Sequence, residues 1–311
     1  MKFFLKKIVV FNFIIIAISI CSILLPATPK ASNSLLFASL DKDLLFKKNV
    51  TKRIIFIGGS NLSFGLNSQI LKDSLKLNPI NTAIHAGIGL NFMLDYYEPK
   101  INSGDIVVLV PEYTQYFGNY ANGEEALLRL ILDTKIKSGK IISYTQFRNI
   151  IQFFPKFVLS KYNPAEYFTE KSRDKPIYER NSFNSLGDAV AHWGQPTKPF
   201  SNEDITKSQI NEDVFSKIVD FKNKIEKKDA KLVLSYPCYD SESFEINRKQ
   251  IKMVRYALER RKLLVLGTPS MFCFNREFLF NSPYHLTKQG AEFRTLILID
   301  LIKNKSELQN N

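Results

Sequence analysis

Along the chain, apolar and polar positions alternate in blocks of two kinds, short runs with strand character and longer stretches with helical spacing. The first block stands apart. Residues 8–25 are almost continuously apolar, broken only by Asn12, Ser19, Cys21 and Ser22, and are long enough to cross a bilayer. Residues 30–52 follow as a polar, charged connector with one apolar patch, Leu35-Leu36-Phe37. Folded patterning then begins with compact β-like runs at 53–57, 80–84 and 105–110, the last being the clearest. A helical stretch at 90–97 lies between the second and the third. The alternation lapses from Phe117 to Thr206 and resumes with helical spacing at 214–228 and 246–260. Strand-like runs at 231–235 and 263–266 accompany these, and an amphipathic helix at 287–303 closes the pattern. Strands alternating with helices predict an α/β fold with a doubly wound parallel sheet. The expected units are a membrane anchor or signal segment at 1–29, a linker at 30–52 and an α/β domain at 53–305. That domain carries a helical or irregular insertion at about 118–206, and a polar tail follows at 306–311.

Charge sharpens the membrane reading. The formal net charge is +13, and Lys2, Lys6 and Lys7 precede the apolar run. By the positive-inside rule the N-terminus stays in the cytoplasm and everything after Pro26 lies outside. An uncleaved signal anchor is favoured over a cleaved signal peptide, because Pro26-Ala27-Thr28-Pro29-Lys30 is a poor cleavage context. Elsewhere the basic excess is dispersed. It includes the cluster Arg260-Arg261-Lys262, which reads either as a solvated helix end or as a surface for anionic glycans or lipid heads. No aromatic-plus-basic nucleic-acid module is visible, so nucleic acid is not an expected partner. The three cysteines, Cys21, Cys238 and Cys273, have neither disulfide-framework nor metal spacing, and the three histidines are far apart. No metal and no cofactor is expected.

Candidate chemistry centres on the end of the first strand, where Ile57-Gly58-Gly59-Ser60-Asn61 turns toward a helical pattern. Ser60 there is either a helix cap or a nucleophile over the carboxyl edge of a parallel sheet. Two further features fall at the same predicted edge. His85-Ala86-Gly87-Ile88-Gly89 follows the second strand, and His285 immediately precedes the last helix, a place from which a base can reach a nucleophile on the first strand.

Taken in order, these stretches resemble the SGNH/GDSL hydrolase superfamily. With Phe64-Gly65, Pro111-Glu112-Tyr113, Gly187-Asp188, His192 and Arg294-Thr295 they resemble a little-characterised, membrane-anchored bacterial branch of it. The resemblance covers about residues 53–118 and 230–303. It implies a flavodoxin-like sheet, Ser60 as nucleophile, His285 as base, and the Ser60 and Gly87 N–H groups, with Gly89 as a substitute, as oxyanion donors. Two positions depart from the family. Glu112 stands where an asparagine usually donates to the oxyanion, and no carboxylate lies three residues before His285, where Ser282 follows Asn281. Candidate orienters or substrate contacts are therefore Asn281, Ser282, Glu112, Asn61 and His85. The expected function is an extracytoplasmic serine esterase or acyltransferase acting on an acylated, for instance acetylated, envelope polysaccharide. A membrane-bound acyltransferase is a candidate partner. The alternative is a catalytically inactive glycan-binding or assembly protein on the same fold.

Overall fold

In the computed structural model the strands are β1 (Arg53–Gly58), β2 (Asn78–Asn81), β3 (Ile106–Val110), β4 (Lys231–Ser235), β5 (Tyr239–Asp240), β6 (Val265–Leu266) and β7 (Cys273–Phe274). The runs at 53–57, 105–110 and 231–235 become strands nearly where expected, β2 starts before the 80–84 run and keeps only its first two residues, and β5 and β7 fall outside any expected run. The structure describes residues 1–48, 51–168 and 176–309. Parts of the expected linker (49–50), insertion (169–175) and tail (310–311) lie outside the described residues.

Five strands form one parallel sheet in the order β2-β1-β3-β4-β6, while β5 and β7 pair with each other. Register is continuous across the centre: Ile54 lies opposite Pro79 on one side and Ile106 on the other, and Gly58 opposite Val110. Every residue of β1 and β3 is buried, which is why both read as unbroken apolar runs rather than alternating ones. Arg53, the one charged residue in β1, donates from Nε to Asp105 Oδ1 at 2.8 Å at the opposite end of the sheet from Ser60.

The chain moves from β1 to β2 in one direction and from β2 over β1 to β3 in the other. Because parallel crossovers are right-handed, this reversal sends the connecting helices to opposite faces. Accordingly helix Ser68–Leu75 packs with the final helix Lys288–Lys303, and helix Leu90–Tyr97 packs with Glu212–Glu226. The reversal opens a crevice beyond the carboxyl ends of β1 and β3, the usual ligand position in such sheets. Ser60 and Glu112 follow those two ends.

Between β3 and helix Glu212–Glu226 no described residue joins the sheet. The interval holds short helices, including Glu125–Arg129, Tyr144–Ile150 and Phe154–Lys161. It leaves and re-enters at one place, where Phe117 bridges Ile210 and the Gly118 N–H donates to Gln209 O at 2.9 Å. Asp188 ties the interval to the sheet by accepting from Ser68 N–H (2.7 Å), Ser68 Oγ (2.7 Å) and Asn81 Nδ2 (2.9 Å).

Two segments differ from expectation. Residues expected as a polar linker form helices Pro29–Asn33 and Ala38–Lys48 packed on the α/β body. The polar residues serve as contacts: buried Lys42 donates to Asn81 O (3.0 Å) and Gly187 O (2.6 Å), and Asp43 pairs with Lys100 and Lys135. In the expected tail, Ser306–Gln309 is helical and Leu308 is buried. The N-terminal helix α1 (Lys2–Leu24) is the one described helix long and apolar enough to span a membrane.

Candidate active site

Ser60 opens a single helical turn, Ser60–Ser63, directly after β1. Two glycines are needed before it because the β3 end passes so close. A Cβ on Gly59 would lie 2.6 Å from Glu112 Oε1 and 2.7 Å from Ala86 Cβ. The turn is held from below by Arg294 of the final helix, a fully buried guanidinium. Its Nη1 donates to Asn61 O at 2.6 Å and its Nη2 to Asn61 Oδ1 at 3.1 Å. Asn61 Nδ2 donates to Val110 O at 3.1 Å. Asn61 is therefore a buried clamp between β3 and the last helix, and its side chain is spent before any substrate could use it.

The Ser60 hydroxyl donates to Glu112 Oε1 at 3.0 Å, and the Asn61 N–H donates to the same oxygen at 2.9 Å. Burial raises the Glu112 pKa, against which the Ser60 and Asn61 donors pull down. Glu112 thus accepts where the SGNH/GDSL pattern that the sequence resembles has a donor. Ser60 and His285 share no hydrogen bond, yet they stand on adjoining segments. Phe64 N–H donates to Ser60 O at 2.9 Å, and the Phe64 ring stacks on His285 with centroids 4.2 Å apart. The Cys238 thiol joins the two neighbours, donating to Tyr284 O at 2.9 Å and lying 3.8 Å from Asn61 O.

His285 is buried, and its Nδ1 lies 2.9 Å from Asn281 Oδ1. Asn281 Nδ2 in turn donates to Tyr178 Oη at 2.6 Å, so the amide's other end is fixed. With Oδ1 as acceptor, Nδ1 carries the proton and Nε2 keeps a free lone pair, the tautomer a general base needs. An asparagine plays this part in cysteine proteases of the Cys-His-Asn type. Burial, followed by the nearby His192 and His85, lowers the His285 pKa to about 3, so the ring is neutral across the physiological range. Of the two candidate orienters beside it, Asn281 takes Nδ1. Ser282 instead builds the turn, its Oγ accepting from the Tyr284 N–H at 3.3 Å.

The expected oxyanion donors fare less well. The Gly87 N–H donates to His85 Nδ1 at 3.0 Å, and the Gly89 N–H to Ala86 O at 2.9 Å. Gly89, at φ 83°, is a backbone hinge packed against Gly123 and has no N–H to offer. His85 is held through Nδ1 but exposes its other edge to a cleft of about 390 Å³. Glu124, Arg129, Leu35 and Tyr178 line the same cleft.

Sequence reasoning missed Tyr178, Glu203 and Cys238 as members of this centre. Glu203 accepts from Tyr239 Oη at 2.8 Å and from Tyr284 Oη, and burial, reinforced by neighbouring Glu112, lifts its pKa to about 7. Nothing in the local sequence marks Tyr178 or Glu203, because each reaches the site from the irregular interval. His192 supports the site from behind: Nε2 lies 2.9 Å from Leu286 O, and the ring packs on Phe64 and Phe280. Among the described residues no group of three or more His, Cys, Asp or Glu could hold a metal ion. Comparison of the whole chain with protein-family models and with curated proteins returns no match.

Proposed function

We propose that the chain is a membrane-anchored, extracytoplasmic serine esterase or O-acyltransferase of the SGNH type, acting on an acylated envelope glycan. The observation that carries this reading is a serine at the switch point of a parallel sheet, one helical turn from Phe64, whose ring stacks on a buried histidine with its Nδ1 2.9 Å from Asn281 Oδ1. The strand order β2-β1-β3-β4-β6 agrees with a flavodoxin-like sheet, and the interval closed by Phe117 and Ile210 with an insertion.

In the reaction, Ser60 Oγ leaves Glu112 and passes its proton to His285 Nε2 while the Oγ–carbon bond to the acyl carbonyl forms. Catalytic hydrogen bonds of this kind commonly tighten only when substrate is bound. The tetrahedral oxyanion collapses, the ester C–O bond breaks, and the departing alkoxide takes the proton from Nε2. Water or a glycan hydroxyl then repeats the sequence on the acyl-enzyme. Gly87 can donate to the oxyanion only if its N–H exchanges His85 for the substrate oxygen.

Fluorophosphonate labelling of the full chain tests the reading: wild type is expected to react and Ser60→Ala not. Equal labelling of the two would sink it. The second reading, a non-catalytic glycan-binding or assembly protein, is favoured by two occupied groups, the Ser60 hydroxyl on Glu112 and the Gly87 N–H on His85. It predicts glycan binding that survives Ser60→Ala without ester turnover.

A further inference from the structure

The carboxyl end of α1 is fastened to the body by helix Phe154–Lys161. Lys161 Nζ, fully buried, donates to Pro26 O at 3.0 Å and Leu25 O at 3.5 Å, satisfying carbonyls left over at the helix end, and pairs with Asp133 at 2.7 Å. Just beyond, Tyr162 Oη donates to Ile18 O at 3.3 Å and accepts from Ser22 Oγ at 3.3 Å. Ile18 lies six residues before Leu24, which at helical rise is about 9 Å back along α1 from its end. A surface touching Ile18 therefore sits below the level at which the span leaves the hydrocarbon. Beside that contact the same stretch leaves large apolar and aromatic side chains in the open: Leu159 (70% exposed), Tyr162 (50%), Tyr167 and Phe168 (75%), the last also lining a cleft with Lys30 and Tyr178. Left in water, these side chains are a cost; beside an apolar span they form the aromatic and aliphatic belt expected at a bilayer interface.

We propose that the Leu159–Tyr162 face, with Tyr167 and Phe168, docks in the headgroup layer of the lipid bilayer, so that the α/β domain lies against the membrane in one orientation. The docking also aims the candidate site. A cleft of about 210 Å³ begins at Lys30 and Glu166, beside the end of α1, and shares Ser34, Leu36 and Arg129 with the cleft that reaches His85 and Tyr178. The trough thus runs from the lipid surface to His85 and Tyr178. The inference rests on α1 spanning the bilayer and is independent of any chemistry at Ser60.

The test uses the full chain in liposomes, in a Trp193→Phe background carrying one new tryptophan at a time, with brominated phospholipid as quencher. Leu159→Trp is expected to lose about half its emission or more, as befits a side chain some 5–10 Å into the headgroup boundary. Tyr256→Trp, on an exposed helix away from α1, is expected to lose none. Phe13→Trp, within α1, reports the span separately. Leu159→Trp quenched no more than Tyr256→Trp overturns the proposal in either of two forms. Access to aqueous acrylamide would mean a bare surface, and protection from both quenchers would mean that a second copy or another protein covers it. An unquenched Phe13→Trp removes the span and the docking with it. Loss of Ser60-dependent labelling would leave these outcomes unchanged.

Discussion

Replacing Glu112 by glutamine keeps the side chain's shape and its acceptor oxygen while removing the charge that holds the Ser60 hydroxyl at 3.0 Å. A neutral acceptor holds a donor less firmly, so Glu112→Gln is expected to raise the fluorophosphonate labelling rate about fivefold. A loss of labelling would instead reassign the base from His285 to Glu112. Asn281→Ala removes the acceptor on Nδ1 and frees Tyr178; labelling is expected to fall on the order of 100-fold with little change in Tm. The same environment fixes a pH signature. A serine hydrolase with an ordinary histidine loses activity as pH drops through about 6.5. With His285 held at about 3, turnover of an acetyl ester should show no such limb between pH 7 and 5. Stability moves the other way. His285 and His192, at about 3 and 4 in the fold and 6.5 when unfolded, are cases where the unfolded chain binds more protons below 6.5. Their contribution is full above 6.5 and is lost as pH falls toward 4 and 3. Glu203, raised to about 7, has the opposite sign, since its folded form keeps a proton that the unfolded chain has released, so its contribution fades as pH rises from 4.5 to 7. Thermal melts from pH 4 to 7 should therefore give a flatter acid limb in His285→Gln and a higher Tm at pH 7 in Glu203→Gln.

At the scale of elements, the centre depends on how closely three chain segments approach. Gly59→Ala would drive a methyl group into Glu112 Oε1 and Ala86, both within 3 Å, and should cost about 1–3 kcal/mol in urea unfolding. Arg294→Met keeps the bulk but strips donors from Asn61 O, Asn61 Oδ1 and Gly65 O. Each buried acceptor left bare costs about 1–3 kcal/mol, so this variant should be the more severe of the two. What the sequence made legible here follows from periodicity and its limits. The unbroken apolar runs of β1 and β3 could only be central strands, and helix Leu90–Tyr97 falls where its spacing put it. The edge strand β6 is shorter than its apolar run, because only Val265 and Leu266 find partners on β4. Ser60 and His285 were readable because each sits at a strand or helix boundary. Glu112 and Asn281, the partners of Ser60 Oγ and His285 Nδ1, were readable as candidates from their places after β3 and before His285; Tyr178 and Glu203 were not, since both arrive from the irregular interval, whose position depends on tertiary contacts such as Asp188 with Ser68 and Asn81. The expectation for Gly89 failed for a related reason. A glycine-rich turn shows that the backbone bends, not which N–H the bend leaves over.

For the whole molecule, the misreading of residues 30–52 matters most. Charge and polarity suggested a solvated stalk, but Lys42 and Asp43 are polar residues that pack, each with a buried or half-buried partner. Lys42→Met should expose this: with Asn81 O and Gly187 O left bare, residues 29–48 are expected to become the first site of limited proteolysis, ahead of the α/β body. The docked connector also sets the protein's reach. A free linker of that length would let the domain wander on the order of 25 Å from its anchor and sample a thick layer of the envelope. Folded down, it gives the domain one working height. In the membrane setting and with the function proposed above, a polymer far from the bilayer would stay out of range, and an acylated chain would be served only where it grows from, or passes along, the lipid surface.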